Sequence, residues 1–456
     1  MRRPRQSAPG RRGLLLSFPG ALSFSGKSEA EWNKTVMTSI EKSKVPGQAV
    51  VVGAGIVGTC CALYLQRAGL AVTLIDRDGP GEGCSSGNAG NLGNGSCVPA
   101  SLPGTVSKVP AMLLDPMHPL SIRLRRFPTA LPWLIRFARA GRIKRVEEIA
   151  DALNSLQSRL YDSYAPLIAD AGADNLIRKN GKLFVYESRA AFDGDSLGLD
   201  LRRRRGVELE ELDGDDLRRM EPALGPNVVR GLFQKDTGHT VDPLRLTQAL
   251  VGSFAANGGV VVRERVIGFD RDGGTVCGVV TDTEVHNAST VVVAAGAWSG
   301  RLIAPLGYRV PLESEGGYHV MLPEPGVNLG MPFLACERKV IFTPMADGLR
   351  LTGIAEFAGL DAPADYRRAD VIVHHASQML PGLNAEGSKS WRGHRPSTPD
   401  SLPVIGPSPR HPNLFFAFGH GRLGLGLGAI TGRLVAQMAT SQPTDVDPTP
   451  FRYERF

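Results

Sequence analysis

AVVVGAGIVG, residues 49–58, sets three glycines at the spacing of a nucleotide-binding turn. The apolar run Ala49 to Val52 predicts a strand, and the apolar stretch from Ile56 to near Gly69 predicts a helix. Gly53 permits the tight turn, Gly55 lets a pyrophosphate approach the backbone, and Gly58 lets helix and strand pack closely. Ile56 and Val57 begin the helix, whose unpaired N–H groups and positive dipole end suit phosphate. The next run, AVTLID, ends in Asp76, 18 residues past Gly58, followed by Arg77. A carboxylate there can accept hydrogen bonds from both ribose hydroxyls, which disfavours a 2′-phosphate. A lone GxGxxG arises often by chance, but this one carries its strand, helix and acid. FAD and NAD both fit it.

The chain has 456 residues, enough for about three domain-sized units, and 42% hydrophobic with 21% charged residues is ordinary globular composition. Its net charge of +7 sits mostly in the first 36 residues, where seven Arg and Lys face only Glu29 and Glu31. The body is therefore near neutral, which argues against a nucleic-acid partner. The leader lacks acids before Glu29 and is rich in Arg, Ser, Pro and Gly. Three readings of it stay open: an upstream start ahead of Met37, a mitochondrial transit peptide, or an export signal interrupted by Pro19 and Gly20. Otherwise the expected location is cytoplasmic, peripheral at the inner membrane if the basic segment below touches lipid. Cys60, Cys61, Cys84, Cys97, Cys277 and Cys336 show no metal-ligand spacing, so structural thiols and no metal site are expected.

Between Gly79 and Gly95 lie seven glycines with Ser and Asn, too small to build a core but able to approach a flat ligand. Residues 121–145 carry eight basic residues and no acid among Ile122, Phe127, Leu131, Trp133 and Ile135. Such a segment is either a membrane-surface element or the solvated face of a packed helix. Helices are expected over 146–171, a strand at GKLFVY, 181–186, and an exposed charged stretch from Arg202 to Glu221. VDPLRLTQALVGSFAANGG reads as a helix started by proline, GVVVRERVIGFD as a strand pair containing Val266, and STVVVAAGAWSG as a strand with a turn at Ala295 and Gly296. NLFFAFGHGRLGLGLGAITGRLVAQM reads as strand, glycine-rich turn and terminal helix.

GAGIVG with Asp76, CSSGNAG at 84–90, VVVAAGAWSG at 291–300, and GHRPSTPDSLPVIG followed by GHGRLGLGLGAITG together resemble the FAD-dependent amine oxidoreductases of the D-amino acid oxidase and glycine oxidase family, especially bacterial D-amino acid dehydrogenases. The resemblance runs from about Val50 to Ala439, and residues 111–137 look like its hydroxyproline-type branch. It implies an α/β fold with a Rossmann-like FAD-binding domain and an α+β substrate domain with a mixed sheet, both discontinuous. The expected division is a leader at 1–46, an FAD domain from 47–115, 239–300 and 391–440, a substrate domain from 116–238 and 301–390, and a tail at 441–456.

The resemblance also implies FAD as cofactor, with Ser85, Ser86, Asn88, Ala89 and Gly90 wrapping the pyrophosphate and flavin and Val266 meeting the adenine. Gly421, Leu423 and Gly424 would face the flavin pyrimidine edge, where helix N–H groups stabilise the charge of reduction. Most relatives carry Glu at the position of Asp76. Arg395 would grip the substrate carboxylate, with an ion pair to Asp400 or Glu356 as the structural alternative. Tyr318 and His420 complete the catalytic candidates. The implied reaction is oxidative deamination of a D-amino acid or cyclic imino acid by hydride transfer to flavin N5, with no dedicated base. A quinone or the respiratory chain is the expected acceptor. The alternatives are a glycine- or sarcosine-type oxidase using oxygen and a flavoprotein module that modifies tRNA.

Overall fold

Residues 47–456 are described by a computed structural model and form one compact unit. The expectations for the leader fall outside them. Gln48–Val52 lies between Ala71–Asp76 and Thr290–Val293, all parallel, and Leu414–Phe418 extends the parallel run. Val260–Arg263 closes one edge in parallel and Val404–Pro407 the other edge antiparallel. Val50, Val51, Val291, Val292 and Val293 are fully buried, because a parallel sheet is covered on both faces.

The helix Ile56–Arg67 packs on this sheet, and the terminal helix Gly424–Ala439 packs on it in turn. Their approach is so close that a Cβ on Gly432 would lie 2.4 Å from the Cys60 carbonyl oxygen. The helix Pro243–Ala256 begins at a proline, as expected, and the Asp242 carboxylate caps it by accepting from the Leu244 and Arg245 amides. All six cysteines are free, and burial pushes the Cys60 thiol up to about 12.

A second, mixed sheet of nine strands runs from Lys389–Ser397 through Glu313–Leu322, Gly348–Phe357, Val340–Met345 and Phe333–Ala335 to Lys182–Tyr186 and beyond. One face, with Tyr318, Val320 and Leu322, packs on Ile372, Ala376 and Met379 of the helix Arg367–Met379. The other carries His319, Arg395, Thr343 and Arg350 towards the loop at 84–90.

Three expectations need correction. Val260–Arg263 and Val266–Asp272 do not pair with each other: the first joins the parallel sheet, and the second pairs with Thr275–Thr281 in a separate three-stranded sheet. Residues 391–397 belong to the edge of the nine-stranded sheet, and the parallel sheet resumes only at Val404. The charged stretch from Arg202 to Glu221 is not uniformly solvated: Glu221 is buried and accepts from the Gly330 and Met331 amides, and the half-buried Arg205 tucks its side chain against Glu147. The basic segment forms a helix, Phe127–Ala140, anchored by Trp133, whose indole donates to the Ser397 carbonyl and stacks on Phe137.

Candidate active site

The first glycines are fixed by contact. Gly53 has φ +107°, and a Cβ on Gly58 would lie 1.8 Å from the Gly53 carbonyl oxygen, so neither position admits a side chain. No side chain caps the following helix at Gly55, and the Ile56 amide donates to Ser85 Oγ at 3.0 Å. Ser85 thus brings the glycine-rich loop to an N-terminus that can hold an anion. Asp76 accepts from the Ala54 amide at 2.7 Å and the Asp78 amide at 3.0 Å. Burial nevertheless raises its pKa, with those bonds opposing. A cavity of about 490 Å³, lined by Arg77, Asp78, Arg263, Glu264, Arg265, Asp282 and Thr283, opens beside Val266.

The loop is pinned to the nine-stranded sheet by a residue that sequence reading missed. Arg350 donates to the carbonyls of Ser86 and Asn88 at 2.9 and 2.7 Å, and Thr343 donates to that of Ala89 at 2.8 Å. Asn88 accepts from the Gly90 amide, closing the turn. Trp391, stacked on His319, covers Gly87, where a Cβ would lie 2.0 Å from the indole. His319 Nδ1 donates to the Gly87 carbonyl at 3.1 Å, and burial lowers its pKa to about 4.

On the same face Arg395 pairs not with Asp400 or Glu356 but with Glu315, directly across the ladder at 2.7 Å. Its Nη1 also donates to the Ile354 carbonyl at 2.8 Å. Ile354 has φ +62°, a strained value for a β-branched residue, and it lies in a bulge of its own strand, where Ile354 and Ala355 together face Gly317. Burial works to raise the Glu315 pKa, but Arg395, Arg422 and a hydrogen bond from Ser397 hold it below the usual range. Arg395 Nε and the whole Arg422 guanidinium have no protein partner among the described residues.

Tyr318 and His420 do not join this group. Tyr318 projects from the opposite face, fully buried, donating to Glu356 Oε2 at 2.8 Å and accepting from the Asp365 amide. His420 is buried, its Nε2 is 2.9 Å from Thr431 Oγ1, and burial lowers its pKa to about 3. The amides of Gly421 and Leu423 are taken by the carbonyls of Pro396 and His420. Gly424, Leu425 and Gly426 therefore head the terminal helix, which has no side-chain cap. Ala295 and Gly296, with φ +55° at Gly296, form the turn after Thr290–Val293.

Two helix N-termini whose own N-cap residues supply no capping side chain, a glycine cradle that no Cβ could enter, and a carboxylate at the end of the second strand suit an elongated dinucleotide with a flavin head. This is the class of flavin-dependent oxidoreductases with a Rossmann-like domain. The chain belongs to the FAD dependent oxidoreductase family, whose model matches residues 48–438, and FAD is its cofactor. It is 39% identical over 413 residues to a D-amino-acid oxidase of Bradyrhizobium diazoefficiens, covering 89% of this chain and 98% of that one. It is 31% identical to a D-amino acid dehydrogenase of Sinorhizobium medicae, covering 90% and 100%. The fold is similar to that of L-proline dehydrogenase from P. horikoshii, with a TM-score of 0.71, 18% identity and coverage of 90% and 98%. Glycine oxidase from Geobacillus kaustophilus gives a TM-score of 0.69, 22% identity and coverage of 90% and 99%.

Proposed function

We propose that this enzyme oxidises the amine of a D-amino acid or cyclic imino acid, binding FAD along the parallel sheet and substrate against the nine-stranded sheet. The observation that carries this reading is the Arg395–Glu315 pair on the sheet face that holds the loop at 84–90, with the Arg422 charge also acting on Glu315. Gly53, Gly55, Ile56, Val57, Gly58, Asp76 and Ser85 would hold the ADP half, and Val266 the adenine side. Ser86, Asn88, Ala89, Gly90 and Gly424 would border the flavin. Bound FAD supplies the acceptor for the hydride that leaves the α-carbon.

The chain's own part is positioning. Glu315 cancels one of the two arginines, leaving one net cation for the α-carboxylate. Arg395 Nε and Arg422 would grip it, while the Ile354 carbonyl and Glu315 keep the Arg395 fork from swinging. His319 and His394, both lowered to about 4, stay neutral and add no competing charge. The oxidised substrate is an imine, which water hydrolyses to an oxo acid; a cyclic substrate gives a cyclic imine. A panel of D- and L-amino acids with a dye acceptor tests the reading, and turnover of L-isomers alone overturns it.

For the acceptor, a membrane quinone is favoured by the exposed Leu114, Phe127, Leu131 and Ile135 beside the basic residues of 121–145. No helix among the described residues is long and apolar enough to cross a membrane. Oxygen is the second reading, favoured by the 39% identical relative named an oxidase. Oxygen uptake run beside dye reduction separates them.

A further inference from the structure

The strand Lys182–Tyr186 lies on the nine-stranded sheet, and its Lys182 and Phe184 project to the face shared with His319 and Arg395. Lys182 Nζ stands 5.0 Å from the centre of the Phe184 ring, and the Arg202 guanidinium stands 5.1 Å from it. Two cations thus share one aromatic ring. The half-buried Lys182 forms no hydrogen bond or ion pair among the described residues, and Arg202 Nε and Nη1 are enclosed without a hydrogen-bond acceptor. The nearest carboxylate to Arg202, that of Asp195, is 3.9 Å away and already accepts from the Tyr186 hydroxyl. A largely enclosed guanidinium with idle donors and only a distant carboxylate, beside a cation with no partner, is costly unless an anion arrives.

This pair connects with the cleft. Burial first, then Arg202 and Arg422, lower the Lys182 pKa to about 8, so Arg422 is close enough to be felt at both Lys182 and Glu315. Gln234, the ladder partner of Lys182, donates to Asn94, on the continuation of the loop whose Cys84 senses Arg395 and Glu315. With one net cation left at Arg395, Arg422 and Glu315 for the α-carboxylate, Lys182 and Arg202 remain as surplus positive charge.

We infer that the preferred substrate is an amino acid with a second acidic group, whose side-chain carboxylate is bound by Lys182 and Arg202. The inference rests on the amine-oxidising reading above and names its substrate class. The phosphates of FAD do not account for these cations, because the helix N-terminus at Gly55 and the Ser85 loop offer the phosphate site on the other sheet.

The test compares the FAD-loaded enzyme on D-glutamate against D-glutamine and D-aspartate against D-asparagine, pairs alike in shape but not in charge. At least one acid should exceed its amide in kcat/KM by about tenfold or more, chiefly through KM. Lys182→Met and Arg202→Met should collapse that ratio with FAD content intact, and Lys182→Arg should keep most of it. Binding of glutarate, read as a shift of the flavin spectrum, gives an answer that does not need turnover: it should weaken about tenfold in Lys182→Met. Oxidation of D-alanine or D-proline with no acid preference, and glutarate binding indifferent to Lys182, would overturn the inference and leave the amine-oxidising reading standing. Failure to oxidise any amino acid, with glutarate binding still dependent on Lys182, would sink that reading and leave an anion site in the cleft.

Discussion

Arg395 and Glu315 face each other on neighbouring strands, their Nη1 and Oε1 atoms 2.7 Å apart, and each is mostly enclosed. The pair therefore cannot be treated as a free arginine awaiting a carboxylate. Removing either member leaves the other's charge partly buried, a change that costs about 3–5 kcal/mol for a fully buried pair and less here, where solvent reaches both.

Arg395→Met should lower kcat/KM at least about a hundredfold, which corresponds to roughly 2.7 kcal/mol of transition-state stabilisation. It should also lower the melting temperature. In Arg395→Met/Glu315→Gln the melting temperature should recover in large part while activity does not. Recovery of both together would show the arginine to be a structural partner only.

Arg422→Met removes a guanidinium that holds no protein acceptor among the described residues. Its expected signature is a rise in KM of about tenfold or more with little change in stability, read by steady-state kinetics beside thermal melting. A large fall in melting temperature with unchanged KM would contradict the role proposed for it.

Gly58→Ala places a Cβ where the Gly53 carbonyl oxygen already stands, 1.8 Å away. The turn must open to admit it, so the purified variant should be pale, with the ratio of flavin to protein absorbance a small fraction of the parent's. Full FAD content in this variant would mean that the cofactor does not depend on that turn.

His239, His319 and His394 have pKa values lowered to about 4, and His420 to about 3, from 6.5, chiefly by burial. Because the folded values lie below the unfolded one, the unfolded chain takes up protons first as pH falls. Their neutral burial is without penalty above about pH 6.5, and stability is lost progressively towards pH 4. Each should contribute about 1 kcal/mol of loss between pH 6.5 and 5.5. Denaturant melts of the parent and of His420→Gln should differ in slope with pH, the variant being the flatter; equal slopes would contradict this.

If the exposed apolar residues of Phe127–Ala140 meet lipid, Leu131→Glu with Ile135→Glu should abolish most binding to vesicles containing anionic phospholipid. Each exposed cation near such a surface adds about 1 kcal/mol, so salt should weaken parent binding steeply. Sedimentation with vesicles reads both, and binding unaffected by the two substitutions would exclude this helix as the contact.

What the sequence disclosed follows from how local each signal is. The turn at Gly53 to Gly58, the proline and Asp242 that start Pro243–Ala256, and the valine runs of the parallel sheet are written in a few adjacent residues. Glu315 was missed because its partner is 80 residues away and nothing near it in the chain announces an ion pair. Arg350 was missed for the same reason, since its acceptors are the backbone carbonyls of Ser86 and Asn88. Tyr318 was misplaced because successive side chains alternate between the two faces of a strand, and nothing in ESEGGYHVML says which face meets the loop at 84–90. The charges between Arg202 and Glu221 suggested solvent, yet several are covered by elements far along the chain.

The interlock of Gly432 with Cys60 joins the last long helix to the first. On a ribosome the nucleotide cleft therefore stays open-ended until Ala439 has emerged, and the cofactor cannot be locked in place before that helix docks.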